Sequence, residues 1–337
     1  MVKSRKQGDA VTRFSVPRTV SSEAASILRM IYDAGGDLPP IATPRSALDF
    51  QRLHQEMENL FGAPSARLAE QLGTRIQRDE LGGVPVLRLS PMGHRLGGRT
   101  LGYLHGGSHV FLSSESTVGV PALVAKATGA EVVSIDFSRA PAARWRTVTR
   151  EVLAVWGALT ASGLQSSSVG LVGESAGGGL AAGCVLMMRE HGLSLPGALW
   201  LLSPWADLIG AGDSRDTLQD WDPALTSELM AACAEAYADP TEQKTPFVSP
   251  VYGEFRGIFP PTLIQGGTRE VLLSDFVRLY QAVSIAGNEA ALDLYEGMPH
   301  AFLGVLSDAP ESRVAIARGA AFLDRHLRGC PSMSREP

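Results

Sequence analysis

Three short stretches of this chain hold the residue types that acyl transfer requires. Gly173-Glu174-Ser175-Ala176-Gly177-Gly178 follows the strand-like run 169–172 and opens an Ala- and Leu-rich helical stretch. Glycines two residues before and after a serine let a strand turn sharply into a helix, leaving a strained nucleophile at the tip. The Ser175 hydroxyl would stand above the sheet, where the positive end of the helix favours developing negative charge. Upstream, Tyr103-Leu104-His105-Gly106-Gly107-Ser108 follows the strand-like Thr100–Leu104. Consecutive glycines there can turn the Gly106 and Gly107 N–H groups toward one point and hold an oxyanion, with the Ala176 N–H as a third donor. His105, inside that glycine-rich turn, reads as a loop brace rather than a base. The third stretch, Glu296-Gly297-Met298-Pro299-His300-Ala301-Phe302, puts His300 in a turn just after the last strand-like run. A general base there can reach back to a serine at the C-terminal edge of the sheet.

The acid that orients such a base should follow a strand lying between serine and histidine in the chain. Glu270, at the end of Pro261-Thr262-Leu263-Ile264-Gln265-Gly266-Gly267-Thr268-Arg269-Glu270, is the first choice. Asp207, in Ser203-Pro204-Trp205-Ala206-Asp207, and Asp275, five residues beyond Glu270, stay as alternatives. Among the other histidines, His54 and His326 read as solvated helix-face residues, and His94 and His191 lie in Gly-flanked connections. His109 lies close enough to the oxyanion turn to be a pocket-wall candidate.

These residues need a scaffold that delivers several strand ends to one place. Runs 74–79 and 84–89, split by Gly82-Gly83, read as a hairpin. Short apolar runs at Thr100–Leu104, Glu131–Ile135, 168–172, Ala198–Leu202, 262–265 and Ala290–Tyr295 alternate with helical stretches at 147–160, 176–191 and 273–286. That rhythm predicts βαβ units and a mainly parallel sheet flanked by helices. Residues 1–20, polar and basic, read as a flexible lead. Residues 21–73 read as a helical cap: Ile27, Leu28, Ile31 and Tyr32, then Leu53, Met57, Leu60 and Phe61, recur at helical spacing around a Gly-Gly-Asp-Leu-Pro-Pro break at 35–40. The catalytic unit would span 74–330, with a helical excursion over one sheet edge at about 207–250.

Composition excludes several classes. With 45% hydrophobic and 19% charged residues among 337, the chain is too apolar for a disordered protein. A net charge of −5, without a basic run, argues against nucleic acid as partner. Cys184, Cys233 and Cys330 are odd in number and widely spaced, so neither a disulfide framework nor a zinc site is expected, and Cys184 reads as a buried inert thiol. No run approaches the ~20 apolar residues of a membrane span, and the N-terminus has no secretory pattern, so a cytoplasmic location is expected.

The chain resembles the bacterial hormone-sensitive-lipase-like esterases of the α/β-hydrolase superfamily. The resemblance rests on His105-Gly106-Gly107, the elbow around Ser175, Ser203-Pro204-Trp205-Ala206-Asp207-Leu208, Gly267-Thr268-Arg269-Glu270-Val271-Leu272-Leu273 and Gly297-Met298-Pro299-His300-Ala301-Phe302. It covers about residues 75 to 328, and the segment Asp136-Phe137-Ser138-Arg139-Ala140-Pro141 fits it too. It implies an α/β-hydrolase fold with a helical N-terminal cap and a metal-free, cofactor-free serine carboxylesterase acting on short to medium acyl esters or lactones. It also implies a homodimer, with His105, Gly173 and Gly177 as motif support. The chain departs from the family pattern at Ser108, Glu174 and Glu270, and at Ala142-Ala143-Arg144-Trp145-Arg146, which lacks the usual acidic and Pro residues. An amidase or peptidase with the same residues, and a small-ligand receptor without turnover, are the alternative functions.

Overall fold

A computed structural model describes residues 15–37, 42–93 and 99–327. Most of the expected lead, His94 and Cys330 lie outside the described residues. The chain starts with helices α1 (Ser22–Asp37) and α2 (Ala47–Gln71), then forms the hairpin β1 (Arg75–Leu81) and β2 (Val84–Ser90). Gly82 and Gly83 both take positive φ, 59° and 79°, which suits the tight two-residue turns favoured by right-twisted strands. Next come β3 (Thr100–Leu104), α3 (Gly119–Thr128), β4 (Glu131–Ile135), α4 (Trp145–Ala161), β5 (Val169–Glu174), α5 (Ala176–Glu190) and β6 (Ala198–Leu202). After β6 lie the short α6 (Ser214–Thr217) and α7 (Ser227–Tyr237). The chain closes with β7 (Thr262–Gly267), α8 (Leu273–Ile285), β8 (Ala290–Tyr295), α9 (Phe302–Val305) and α10 (Pro310–His326).

The eight strands form one sheet in the order β1-β2-β4-β3-β5-β6-β7-β8. The pairs β1–β2 and β2–β4 are antiparallel, and every pair beyond them is parallel. Parallel strands covered on both faces read as continuous apolar runs, and β3, β5 and β6 are buried along their whole length. Their alternation feeds two cores: Leu199 and Leu201 of β6 face one layer, Ala198, Trp200 and Leu202 the other. The first layer is closed by α4, α5 and α8, the second by α1, α3 and α10. Cys184 is fully buried in the first layer, and burial pushes its thiol up, away from reactivity.

Several local expectations shift. β5 runs two residues further than the apolar run 168–172, up to the serine itself. α1 continues through Asp37, past the glycine pair where a break was expected. α2 opens on a capping box between Ser46 and Asp49. Its apolar stripe is only partly buried, however, because Leu53 packs inside whereas Leu60 is 59% and Phe61 39% exposed. The excursion after β6 meets two of the strand exits. It crosses the C-terminal strand ends, touching the turn after β3 through a Tyr237–His109 stack and the turn after β7 through Asp222 and Val271.

Candidate active site

β5 ends at Glu174 and α5 begins at Ala176, so Ser175 alone makes the turn between them. Its backbone sits at φ 53°, ψ −121°, a conformation that a residue with a Cβ adopts only when its surroundings impose it. Those surroundings are visible. The Ser175 N–H donates to the Leu202 carbonyl at 2.8 Å, and its carbonyl accepts from Gly178 at 2.9 Å and Trp205 at 2.8 Å. Glycine is required around this turn because the chain passes too close for a side chain. A methyl on Gly177 would overlap the Leu104 and His105 carbonyl oxygens, and one on Gly173 would overlap the Gly177 carbonyl. Gly177→Ala is therefore expected to cost about 2 kcal/mol or more. A thermal melt reads this directly, and an unchanged Tm would refute the close-packing account.

Two exit turns carry the other residues. Thr268 N–H donates to the Tyr295 carbonyl at 3.1 Å and Arg269 N–H to the Met298 carbonyl at 3.2 Å. The turn after β7 is thereby laced to the turn after β8, which brings Glu270 and His300 together from positions thirty residues apart. His300 Nδ1 lies 2.6 Å from Glu270 Oε2, and His300 Nε2 lies 2.9 Å from Ser175 Oγ. The Nδ1–H donates to the carboxylate, leaving Nε2 to accept from the serine hydroxyl. All three side chains are buried, Glu270 completely.

The second Glu270 oxygen is also held: Oε1 accepts from the Gly267 N–H at 2.5 Å and the Ser203 hydroxyl at 2.8 Å. Burial pushes the Glu270 carboxyl up, and these donors, with His300, pull it partly back. Burial alone would lower His300. The Glu270 hydrogen bond and charge, with contributions from Asp222 and Glu174, outweigh it and leave the imidazole above its ordinary range.

The turn after β3 lies against the serine through Gly106. A methyl built on Gly106 would lie 3.3 Å from the Ser175 Cβ, and Gly107 adopts φ 110°. Ala176 heads α5, where backbone N–H groups lack intrahelical acceptors. His105 Nδ1–H donates to the Gly106 carbonyl at 2.7 Å, and its ring stacks on Phe137 with centroids 4.2 Å apart. Burial lowers His105 to about 4, so it is neutral and braces the turn. His109 is lowered to about 3 by burial and stacks on Tyr237 at 3.7 Å. It joins the turn after β3 to the excursion.

The rival acids lie elsewhere. Asp207 accepts from the Ile209 and Ala211 N–H groups and pairs with Arg278 at 2.5 Å. Asp275 accepts from the Ala206 and Asp207 N–H groups, and burial raises it to about 7. Both tie the start of the excursion to α8. Glu174 points back from the serine to Tyr103, whose hydroxyl donates to it at 3.1 Å, and burial raises its carboxyl to about 7. His54 and His326 are half-buried rather than solvated; His326 Nε2 lies 3.2 Å from Glu289. The unusual Arg144-Trp145-Arg146 has a partner: Arg144 pairs with Asp239 at 2.8 Å, while Arg146 and the Trp145 indole N–H both bind Glu242. These contacts fasten α4 to the end of the excursion.

Sequence reasoning gave no role to Ser203, although it directly follows β6 at the C-terminal edge, the one signal that could have marked it. Among the described residues, no group of three His, Cys, Asp or Glu side chains could hold a metal ion. No described helix is long and apolar enough to cross a membrane.

A family model described as alpha/beta hydrolase fold matches residues 101–304. The chain is 34% identical over 256 residues to LipR of Mycobacterium tuberculosis, covering 76% of this chain and 82% of the relative. It is 35% identical over 229 residues to an acetyl-hydrolase of Streptomyces hygroscopicus, covering 68% and 76%. Its fold superposes on an esterase from the bacterial hormone-sensitive lipase family with TM-score 0.80 and 29% identity, covering 91% of this chain and 99% of the other. The chain belongs to the bacterial hormone-sensitive-lipase-like esterases of the alpha/beta-hydrolase superfamily.

Proposed function

We propose that this carboxylesterase works through an acyl-enzyme formed on Ser175. The observation that carries this reading is the unbroken hydrogen-bonded chain from Ser175 Oγ through His300 to Glu270, at the tip of a strained strand-to-helix turn. Ser175 Oγ attacks the acyl carbonyl carbon as its proton passes to His300 Nε2. The carbonyl oxygen becomes an oxyanion facing the N–H groups of Gly106, Gly107 and Ala176. The intermediate collapses, the alcohol leaves with the His300 proton, and the acyl group stays on Ser175. Water then attacks with His300 as base, and the carboxylic acid departs. Glu270 keeps His300 in the tautomer that can accept a proton and stabilises the imidazolium it becomes.

Substrate choice falls to the elements over the strand ends. The α1–α2 cap and the 207–250 excursion would admit esters with short to medium acyl chains, and lactones by the same chemistry. The acetyl-hydrolase and esterase names among its relatives support small ester substrates. A homodimer, as the family implies, completes the proposal.

A fluorophosphonate probe is expected to label wild-type protein at Ser175, and matched p-nitrophenyl ester and p-nitroanilide substrates should favour the ester by orders of magnitude. Comparable anilide turnover would make the chain an amidase, and failure to label or turn over any ester would make it a receptor. Rates over acetyl, butyryl, hexanoyl and lauroyl esters test the chain-length limit, which falls if lauroyl is best.

A further inference from the structure

The turn that carries Glu270 is gripped on both sides by one dipeptide of the excursion. Before Glu270, the Arg269 guanidinium lies over the Trp221 ring, 5.1 Å from its centroid. The same guanidinium reaches the Tyr32 hydroxyl of α1 at 3.5 Å and the Ser15 carbonyl. After Glu270, the Val271 N–H donates to Asp222 Oδ2 at 3.0 Å. Trp221 and Asp222 are adjacent, so the excursion holds both neighbours of Glu270 at once.

Asp222 is only 4% exposed, and its Oδ1 accepts from Ala224 at 2.9 Å and Leu225 at 3.0 Å. A neutral asparagine or serine could satisfy turn N–H groups of this kind without the cost of burying a charge. Burial raises the Asp222 carboxyl, and its hydrogen bond to the residue after Glu270 places its charge where it favours a protonated His300. We propose that Asp222 is a positioning residue for the Glu270–His300 pair: it fixes the turn that aims Glu270, and its charge stabilises the imidazolium formed as Ser175 is deprotonated. The proposal rests on Ser175, His300 and Glu270 being the catalytic set.

Three carboxylates act on His300: Glu270 through its hydrogen bond and charge, and Asp222 of the excursion and Glu174 of β5 through charge alone. Each favours the protonated imidazole. A neutral His300 must take the Ser175 proton, so kcat/KM falls as pH drops through the raised His300 pKa. Removing one of the three anions lowers that pKa and moves the acid limb to lower pH.

The test is kcat and KM for p-nitrophenyl butyrate across pH for wild type, Asp222→Asn, Asp222→Ser and Asp222→Glu. In the two neutral variants the acid limb should move to lower pH, kcat at the plateau should fall about tenfold or more, and KM should stay within about twofold. Asp222→Glu should keep the limb at its wild-type position. An unmoved limb in both neutral variants overturns the proposal, since a merely structural turn would change stability and plateau height alone. Failure of both to fold, read by circular dichroism, overturns it as well. Ser175→Ala separates the two levels: if it stays active, the underlying catalytic reading fails. If it is inactive while the limb in the Asp222 variants does not move, only the role of Asp222 is lost.

Discussion

Replacing Ser175 with Ala is expected to lower kcat toward a p-nitrophenyl ester by about 10⁶-fold, with Tm close to wild type. The size follows from what is lost. The hydroxyl is the atom that bonds to carbon, and it lies 2.9 Å from the imidazole that must take its proton. Without it His300 can only activate water, and the residual rate is what substrate binding and the turn proposed to hold the oxyanion supply. Stability should barely change, because the strain at φ 53° belongs to the backbone and Ala also carries a Cβ. The hydrogen bonds that impose that conformation run from the main chain of Ser175 to Leu202, Gly178 and Trp205. Steady-state kinetics with an active-site titration decides the matter. A variant within tenfold of wild type would remove Ser175 from the mechanism.

Glu270→Gln should lower kcat by about 10⁴-fold while leaving KM nearly unchanged. The amide keeps the volume of the carboxylate, and its oxygen can still accept from Ser203 and Gly267. Its NH₂ would then face His300 Nδ1 and favour the tautomer with the proton on Nε2, which cannot accept from Ser175. The imidazolium also loses its buried counter-charge. Asp207→Asn and Asp275→Asn supply the contrast. Their carboxylates hold Ala206, Asp207, Ile209, Ala211 and Arg278 rather than His300. These variants should lose thermal stability and keep most of kcat. If Asp207→Asn costs more turnover than Glu270→Gln, the acid is misassigned.

The contrast among these three acids marks how far the sequence could be read. Glu270, Asp207 and Asp275 all follow strands that end near Ser175, and strand order alone does not say which carboxylate meets the imidazole. The choice depends on the lacing of two exit turns, Thr268 to Tyr295 and Arg269 to Met298, whose hydrogen bonds join backbone groups nearly thirty residues apart. Main-chain groups are the same in every residue, so no local pattern reveals that pairing. Ser203 was overlooked for the same reason: a serine after a strand is common, and its value lies in the Glu270 oxygen that it meets. The excursion shows a different limit. Its composition marked it as a break in the βα rhythm, yet its path across the strand ends depends on a His109–Tyr237 stack and on Asp222, contacts with no periodicity.

By itself the sequence determined the alternation of strands and helices, because burial on both faces of a parallel sheet demands continuous apolar runs that no solvated segment would carry. It also determined the elbow, because the close passage of the chain at Gly173 and Gly177 leaves no room for a side chain. Only the tertiary structure decided which acid faces His300, how the excursion grips the Glu270 turn, and that Arg144 and Arg146 fasten α4 to Asp239 and Glu242. The physical reason is that local sequence dictates conformation and exposure, which are properties of neighbours along the chain. The direction of a buried carboxylate is set instead by donors that distant segments bring to it.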